Sequence, residues 1–183
     1  MTRGNNPAIF LDRDGVIIAD KHFQINPDDI EFIFGSLDAL KRVPLGYVIV
    51  SISNQSGVAR GLFCERDVIV FNDALDSRLR SFGINIAGWY FCPHGPDDNC
   101  PCRKPAPGMI FQAADDLSID LDRSWLIGDK SSDISAGNKA GMTTILVRTG
   151  YAGIEEEKVD VRPDFVADNL YGAIEIVIRG KQT

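Results

Sequence analysis

Short apolar runs alternate with longer stretches of helical periodicity along most of this chain. Ala8–Leu11 is uniformly apolar and stops at Asp12, the pattern of a buried strand ending in a carboxylate. Residues 36–43 predict a helix halted by Pro44. Residues 47–52 are β-branched and predict a second strand. Val68, Phe71, Leu75, Leu79 and Phe82 recur at helical spacing over residues 65–82. Residues 86–91 read as a third strand. Pro107 suits the first position of a helix through Met109, Ile110, Ala113 and Leu117. Residues 125–127 form a strand closed by Gly128 and Asp129, followed by a helix over 133–139 that ends near Gly141. Residues 144–147 and 165–167 are further strands, and 170–178 a last amphipathic helix. This repeated strand–helix order predicts an α/β fold, a doubly wound parallel sheet with helices on both faces. In such folds ligands bind outside the carboxyl ends of the strands.

Length and charge narrow the picture. The chain has 183 residues, with 19 Lys and Arg against 26 Asp and Glu, a net charge of −7. That length suits a single domain over residues 1–183, with residues 1–6 as a flexible tail and 151–162 as a solvated acidic loop. The acidic balance offers no field for a nucleic-acid backbone, so no nucleic-acid partner is expected. No apolar run approaches a membrane span and no secretory segment is visible, which predicts a cytoplasmic protein without a membrane partner. Without a heptad pattern or a long apolar edge strand, a monomer is expected.

Three of the four cysteines fall together. Cys92, His94, Cys100 and Cys102 form two close pairs joined by a turn-rich loop of five residues. A reducing compartment makes a disulfide framework unfavourable, and three thiolates with one imidazole suit a tetrahedral zinc ion. A filled site of this kind has no open position, so a structural zinc loop over residues 92–102 is predicted. Cys64 is left as a small packed residue near a helix start.

The polar clusters all follow predicted strands. Asp12 and Asp14 follow the first, and one carboxylate can attack while the other handles a proton. Ser53, Asn54, Gln55 and Ser56 follow the second and supply hydroxyl and amide donors. Arg103 and Lys104 follow the zinc loop and supply two cations. Asp129 and Lys130, with Asp133 beyond them, close the fourth. Three carboxylates converging on one edge repel one another, but they suit Mg2+, a hard cation that can bridge carboxylate and phosphate. Lys104 and Ser53 would then hold the remaining phosphate oxygens.

The order Asp12-Arg13-Asp14-Gly15, Ser53-Asn54, Lys104, Gly128-Asp129 with Asp133 resembles the four motifs of the haloacid dehalogenase superfamily of phosphatases. The runs 53–61, 92–94, 102–109 and 127–130 resemble its heptose 1,7-bisphosphate 7-phosphatases, with the histidinol-phosphate phosphatases as near relatives. The resemblance spans roughly residues 8 to 150. It implies a Rossmann-like fold without a large cap domain. It also implies an aspartyl-phosphate route on a small phosphorylated sugar, D-glycero-D-manno-heptose 1,7-bisphosphate at its C7 phosphate. Asp12 would be the nucleophile. Asp14 would be the acid and base, with its pKa raised enough to hold a proton. Asp12, the main-chain carbonyl of Asp14 and Asp129 would bind Mg2+, and Cys92, His94, Cys100 and Cys102 would bind Zn2+. Ser53, Asn54 and Lys104 would bind phosphate. Arg103, with Gln55, Ser56, Lys21 and His22, would contact the rest of the substrate. Asp133 and Lys130 would support. The chain departs from that pattern at Ser53, commonly Thr, and at residues 20–24, where the heptose enzymes typically carry Gly-Tyr. Histidinol phosphate is the alternative substrate, with Asp20 available to meet its amine. A 3′-phosphatase acting on nucleic-acid ends is a weaker rival, opposed by the acidic charge, and a catalytically silent zinc-loop binding module is the rival from another class.

Overall fold

The computed structural model describes residues 6–150 and 161–180. Its core is one parallel sheet of six strands in the order β3-β2-β1-β4-β5-β6. The strands are β1 (Ala8–Leu11), β2 (Val48–Asn54), β3 (Gly88–Cys92), β4 (Trp125–Gly128), β5 (Thr143–Val147) and β6 (Phe165–Ala167). The helices are α1 (Ser36–Lys41), α2 (Glu65–Ser81), α3 (Gly108–Leu117), α4 (Ser131–Lys139) and α5 (Leu170–Gly180). The strand–helix alternation therefore folds as the doubly wound sheet that the periodicity predicts. The tail 1–5, the loop 151–160 and residues 181–183 lie outside the described residues.

The alternation of side chains along β1 explains why both faces must be covered. Ile9 and Leu11 enter one apolar cluster, with Phe71, Leu75 and Leu79 of α2 and Leu170, Ile174 and Val177 of α5. Ala8 and Phe10 enter the other, with Met109, Ile110 and Ala113 of α3 and Ala136 of α4. All four β1 residues are fully buried, as expected for a central strand of a parallel sheet.

Several element ends differ from expectation by one or two residues, for local reasons. Helix α1 stops at Lys41, and Arg42 and Val43 form the turn before Pro44. Helix α4 starts at Ser131, because the Asp133 carboxylate accepts from the Lys130 backbone N–H (3.1 Å) and so caps the turn. Cys64 is exposed rather than packed. It stands at the N-cap of α2, where its N–H is taken by Asp67 Oδ2 at 2.8 Å.

The register places the chemistry. Leu11 is aligned with Ser51 on one side and Ile127 on the other. The residues just past these positions, Asp12, Ser53 and Asp129, therefore emerge at the same sheet edge. Gly15 makes the turn beyond Asp12 with a left-handed φ of 88°. A Cβ there would overlap the Asp129 carboxylate, so only glycine fits this close approach.

Candidate active site

The strand ends open into a cavity of about 330 Å3. Asp12 is 5% exposed, and its Oδ1 meets the Lys104 ammonium at 3.1 Å. The same ammonium reaches Asp133 Oδ1 at 2.5 Å and donates to the Ile52 carbonyl at 2.9 Å. Lys104 is thus a buried cation with three acceptors. Burial pushes its pKa down, but Asp12 and Asp133 overcome this and hold it above the usual lysine value. Burial pushes Asp12 up to about 6; Asp133 adds to that rise, and Lys104 opposes it.

Asp14 faces the cavity from a different network. Its carboxylate receives Arg13 Nε at 3.1 Å, Arg13 Nη2 at 2.8 Å, Gln24 Nε2 at 3.0 Å and Gln55 Nε2 at 3.0 Å. Arg13 itself is 1% exposed, lies 4.6 Å from the Phe71 ring centroid and donates to Asn72 Oδ1 at 2.9 Å. Here expectation and structure part. The acid role called for a raised pKa at Asp14. Burial does push it up, but the Arg13 guanidinium and the two amides hold the carboxyl below its ordinary range. The reason is the fold-back of Arg13, with α2 supplying its second partner.

The remaining residues are distributed as follows. Ser53, Asn54, Gln55, Ser56, Arg103, Lys104, His22 and Lys130 all line the cavity. Gln55 Nε2 also lies 2.5 Å from Ser53 Oγ. Asn54 commits its amide to the Lys104 peptide. Arg103 Nη1 donates to the His94 carbonyl at 3.1 Å, which ties it to the cysteine loop. Lys21 is the exception among the expected substrate contacts. It does not line the cavity, because its ammonium pairs with Glu31 (3.0 Å) and the Asp29 carbonyl (3.0 Å). Lys130 pairs with Asp20 Oδ2 at 3.2 Å. Burial works against its charge, but Asp12, Asp129 and Asp20 keep its pKa well above the usual lysine range.

Comparison with known proteins gives this site a context. Residues 101–173 match the HAD-hydrolase-like family. The D-glycero-beta-D-manno-heptose-1,7-bisphosphate 7-phosphatase of Yersinia pestis is 42% identical over 153 residues, covering 79% of this chain and 81% of that one. The Helicobacter pylori protein of the same name is 44% identical over 146 residues, 79% of this chain and 84% of that one. The chain belongs to the haloacid dehalogenase superfamily of phosphatases. The crystal structure of D,D-heptose 1,7-bisphosphate phosphatase from B. bronchiseptica, complexed with magnesium and phosphate, superposes with a TM-score of 0.87. It is 33% identical and covers 95% of this chain and 99% of that one. This phosphatase has, among its described residues, no helix long and apolar enough to cross a membrane.

Two donor clusters could hold metal. Carboxylate oxygens of Asp12, Asp129 and Asp133 lie within 4.8 Å of one another and are buried, a hard-oxygen set that suits Mg2+. Asp133 joins this cluster, while the Asp14 side chain is engaged by Arg13. The second cluster is Cys92, His94, Cys100 and Cys102, again within 4.8 Å. The sulfur pairs are 3.0, 3.5 and 3.5 Å apart, and His94 Nδ1 is 3.5 and 3.3 Å from Cys92 and Cys102. Ligands about 2.3 Å from a tetrahedral zinc ion are separated by somewhat more than this, so the donors need spread only slightly to hold one. All four cysteines are free thiols. Burial pushes the Cys92 thiol far above its ordinary range, with the Cys102 thiol adding to the shift. Cys100 moves the other way: burial works against its ionisation, but hydrogen bonds from the Arg103 backbone and the neighbouring thiols lower its pKa, so it is Cys92 above all that would need a cation to ionise.

Sequence reasoning missed Arg13, Gln24 and Asn72. Arg13 had one visible signal, a charged residue enclosed between two functional aspartates. Gln24 and Asn72 had none, because a loop glutamine and a mid-helix asparagine are ordinary at those positions.

Proposed function

We propose that this phosphatase hydrolyses the C7 phosphate of D-glycero-D-manno-heptose 1,7-bisphosphate through an aspartyl-phosphate on Asp12, with Mg2+ as cofactor. The observation that carries the reading is the convergence of Asp12, Ser53 and Lys104 on one cavity beside the Asp12–Asp129–Asp133 oxygens. Support for the substrate comes from the names and coverage of the relatives. Asp12 Oδ attacks phosphorus while Lys104 and Ser53 take up the charge that moves onto the non-bridging oxygens. Asp12, Asp129 and the Asp14 carbonyl would hold the Mg2+, which would supply positive charge to offset that of the phosphoryl group. Asp14 protonates the leaving sugar oxygen and then takes a proton from the water that cleaves the acyl phosphate. Its ionised resting form fits the second step directly. The approach of a phosphate dianion raises its proton affinity for the first. Arg103 faces the distal phosphate, which a guanidinium fork matches. Cys92, His94, Cys100 and Cys102 would hold a structural Zn2+, which would cross-link residues 92–103.

The histidinol-phosphate alternative relied on Asp20 meeting the amine. Asp20 is already paired with Lys130, so its charge is neutralised at the cavity wall. A phosphate-release panel over both anomers of the heptose bisphosphate, other sugar phosphates and histidinol phosphate tests the reading. The expected result is the highest kcat/KM on a heptose bisphosphate. Preference for histidinol phosphate, or equal rates across the panel, would refute it.

A further inference from the structure

Lys104 poses a structural problem. It is a buried cation on a segment without helix or strand, between β3 and α3. Its ammonium must nonetheless meet Asp12, Asp133 and the Ile52 carbonyl together. An irregular backbone does not hold such a group unless something anchors the peptide itself.

The anchor is Asn54, the last residue of β2. Its Oδ1 accepts the Lys104 N–H at 3.1 Å, and its Nδ2 donates to the Lys104 carbonyl at 3.0 Å. Side-chain amide and main-chain peptide therefore meet in a two-bond ring, across 50 residues of sequence. The main chain of Asn54 is in register with Cys92, and the next N–H, of Gln55, donates to the Cys92 carbonyl at 2.8 Å. The end of β2 thus grips the chain both where it leaves β3 and where it returns with Lys104. Among polar side chains of this length, a carboxylate lacks the donor and a hydroxyl lacks the reach. Asparagine offers both atoms in one plane.

We infer that Asn54 is a positioning residue, which sets the Lys104 ammonium against the phosphoryl site by holding the Lys104 peptide. The inference rests on the reading that Lys104 contacts the phosphoryl group. It extends that reading by giving Asn54 a task besides lining the cavity.

The test uses the full chain loaded with zinc and magnesium. Asn54→Ala and the nearly isosteric Asn54→Leu are compared with wild type and with Lys104→Met. The readouts are turnover of 4-nitrophenyl phosphate and competitive inhibition by orthovanadate, which occupies the phosphoryl site. Both Asn54 variants should lower kcat and raise the vanadate Ki by about tenfold or more, the factor expected for two lost hydrogen bonds. Zinc content should be unchanged, and amide exchange at Arg103 and Lys104 should quicken. A purely structural role would lower the melting temperature without moving the vanadate Ki of the folded enzyme. Wild-type kcat and Ki in Asn54→Leu would overturn the inference. Should the apolar variants fail to fold, Asn54→Ser, too short to span the peptide, carries the same expectation and the same refutation. An unchanged vanadate Ki in Lys104→Met would instead overturn the assignment of Lys104, and the inference with it.

Discussion

The two polar clusters of this molecule sit a few residues apart and are built on opposite principles. At the sheet edge opposite charges are matched. Lys104 lies between Asp12 and Asp133, Arg13 holds Asp14, and Lys130 holds Asp20. In the cysteine loop three thiols and an imidazole face one another at 3.0–3.5 Å with no opposing charge among them. The first arrangement is carried by strands whose register is set by a buried core. Of the second only Cys92 belongs to a strand, the rest lying in a turn-rich loop, and its donor set suits an ion. One is a site the fold stores; the other is conditional, a donor set whose opposing charge a metal would supply.

Three experiments test that contrast. The largest effect is expected at the stored site. Asp12→Asn should abolish magnesium-dependent phosphate release, by on the order of 10^4-fold or more, as for other lost nucleophiles. The fold should survive, since the substitution removes a charge that burial already disfavours. Intact turnover would show that Asp12 is not the nucleophile.

The conditional site should respond in stability before chemistry. Metal analysis is expected to find about one zinc per chain. Its removal by a chelator should lower Tm by roughly 10 °C, the shift that a loss of about 3–5 kcal/mol produces in a chain of this size. An active, equally stable protein without zinc would refute the loop's role.

The smallest effect probes the charge matching itself. Arg13→Met should cost about 1–3 kcal/mol, reduced from a fully buried pair because Asp14 retains some exposure. It should also move the acid limb of the kcat profile, set by the ionised Asp14 that activates water in the second step, to higher pH. The sign follows from the direction of the Asp14 shift. A depressed carboxylate stabilises the fold above its ordinary pKa and loses that contribution as pH falls through the folded value. The stability gap between wild type and variant should therefore narrow in acid. An unmoved acid limb would show that Arg13 does not tune Asp14.

Much of this was legible in residue order, and the exceptions are instructive. Strand β1 ends where its apolar run ends, all four of its residues being buried, and β6 ends likewise although its first two residues are exposed. Asp12, Ser53 and Asp129 were visible because strand-terminal polar residues in an α/β pattern have one common destination, and Lys104 as a cation directly after the cysteine loop. Lys21 was misplaced because neighbouring loop residues point in different directions: His22 reaches the cavity while Lys21 turns to Glu31. The state of Asp14 was misjudged because it depends on Gln24, Gln55 and Asn72, which come from three separate segments.

By itself, then, the sequence determined the layer order, the strand ends that carry polar groups and the donor set of the cysteine loop. These follow from local rules, periodicity and ligand chemistry, which act within a few residues. The tertiary structure alone decided which charge meets which: that Arg13 folds back onto Asp14, that Asp133 shares Lys104 with Asp12, and that Asn54 reaches across to the Lys104 peptide. Such pairings are set by distances in a packed interior, where desolvation makes each polar contact count and chain separation does not matter.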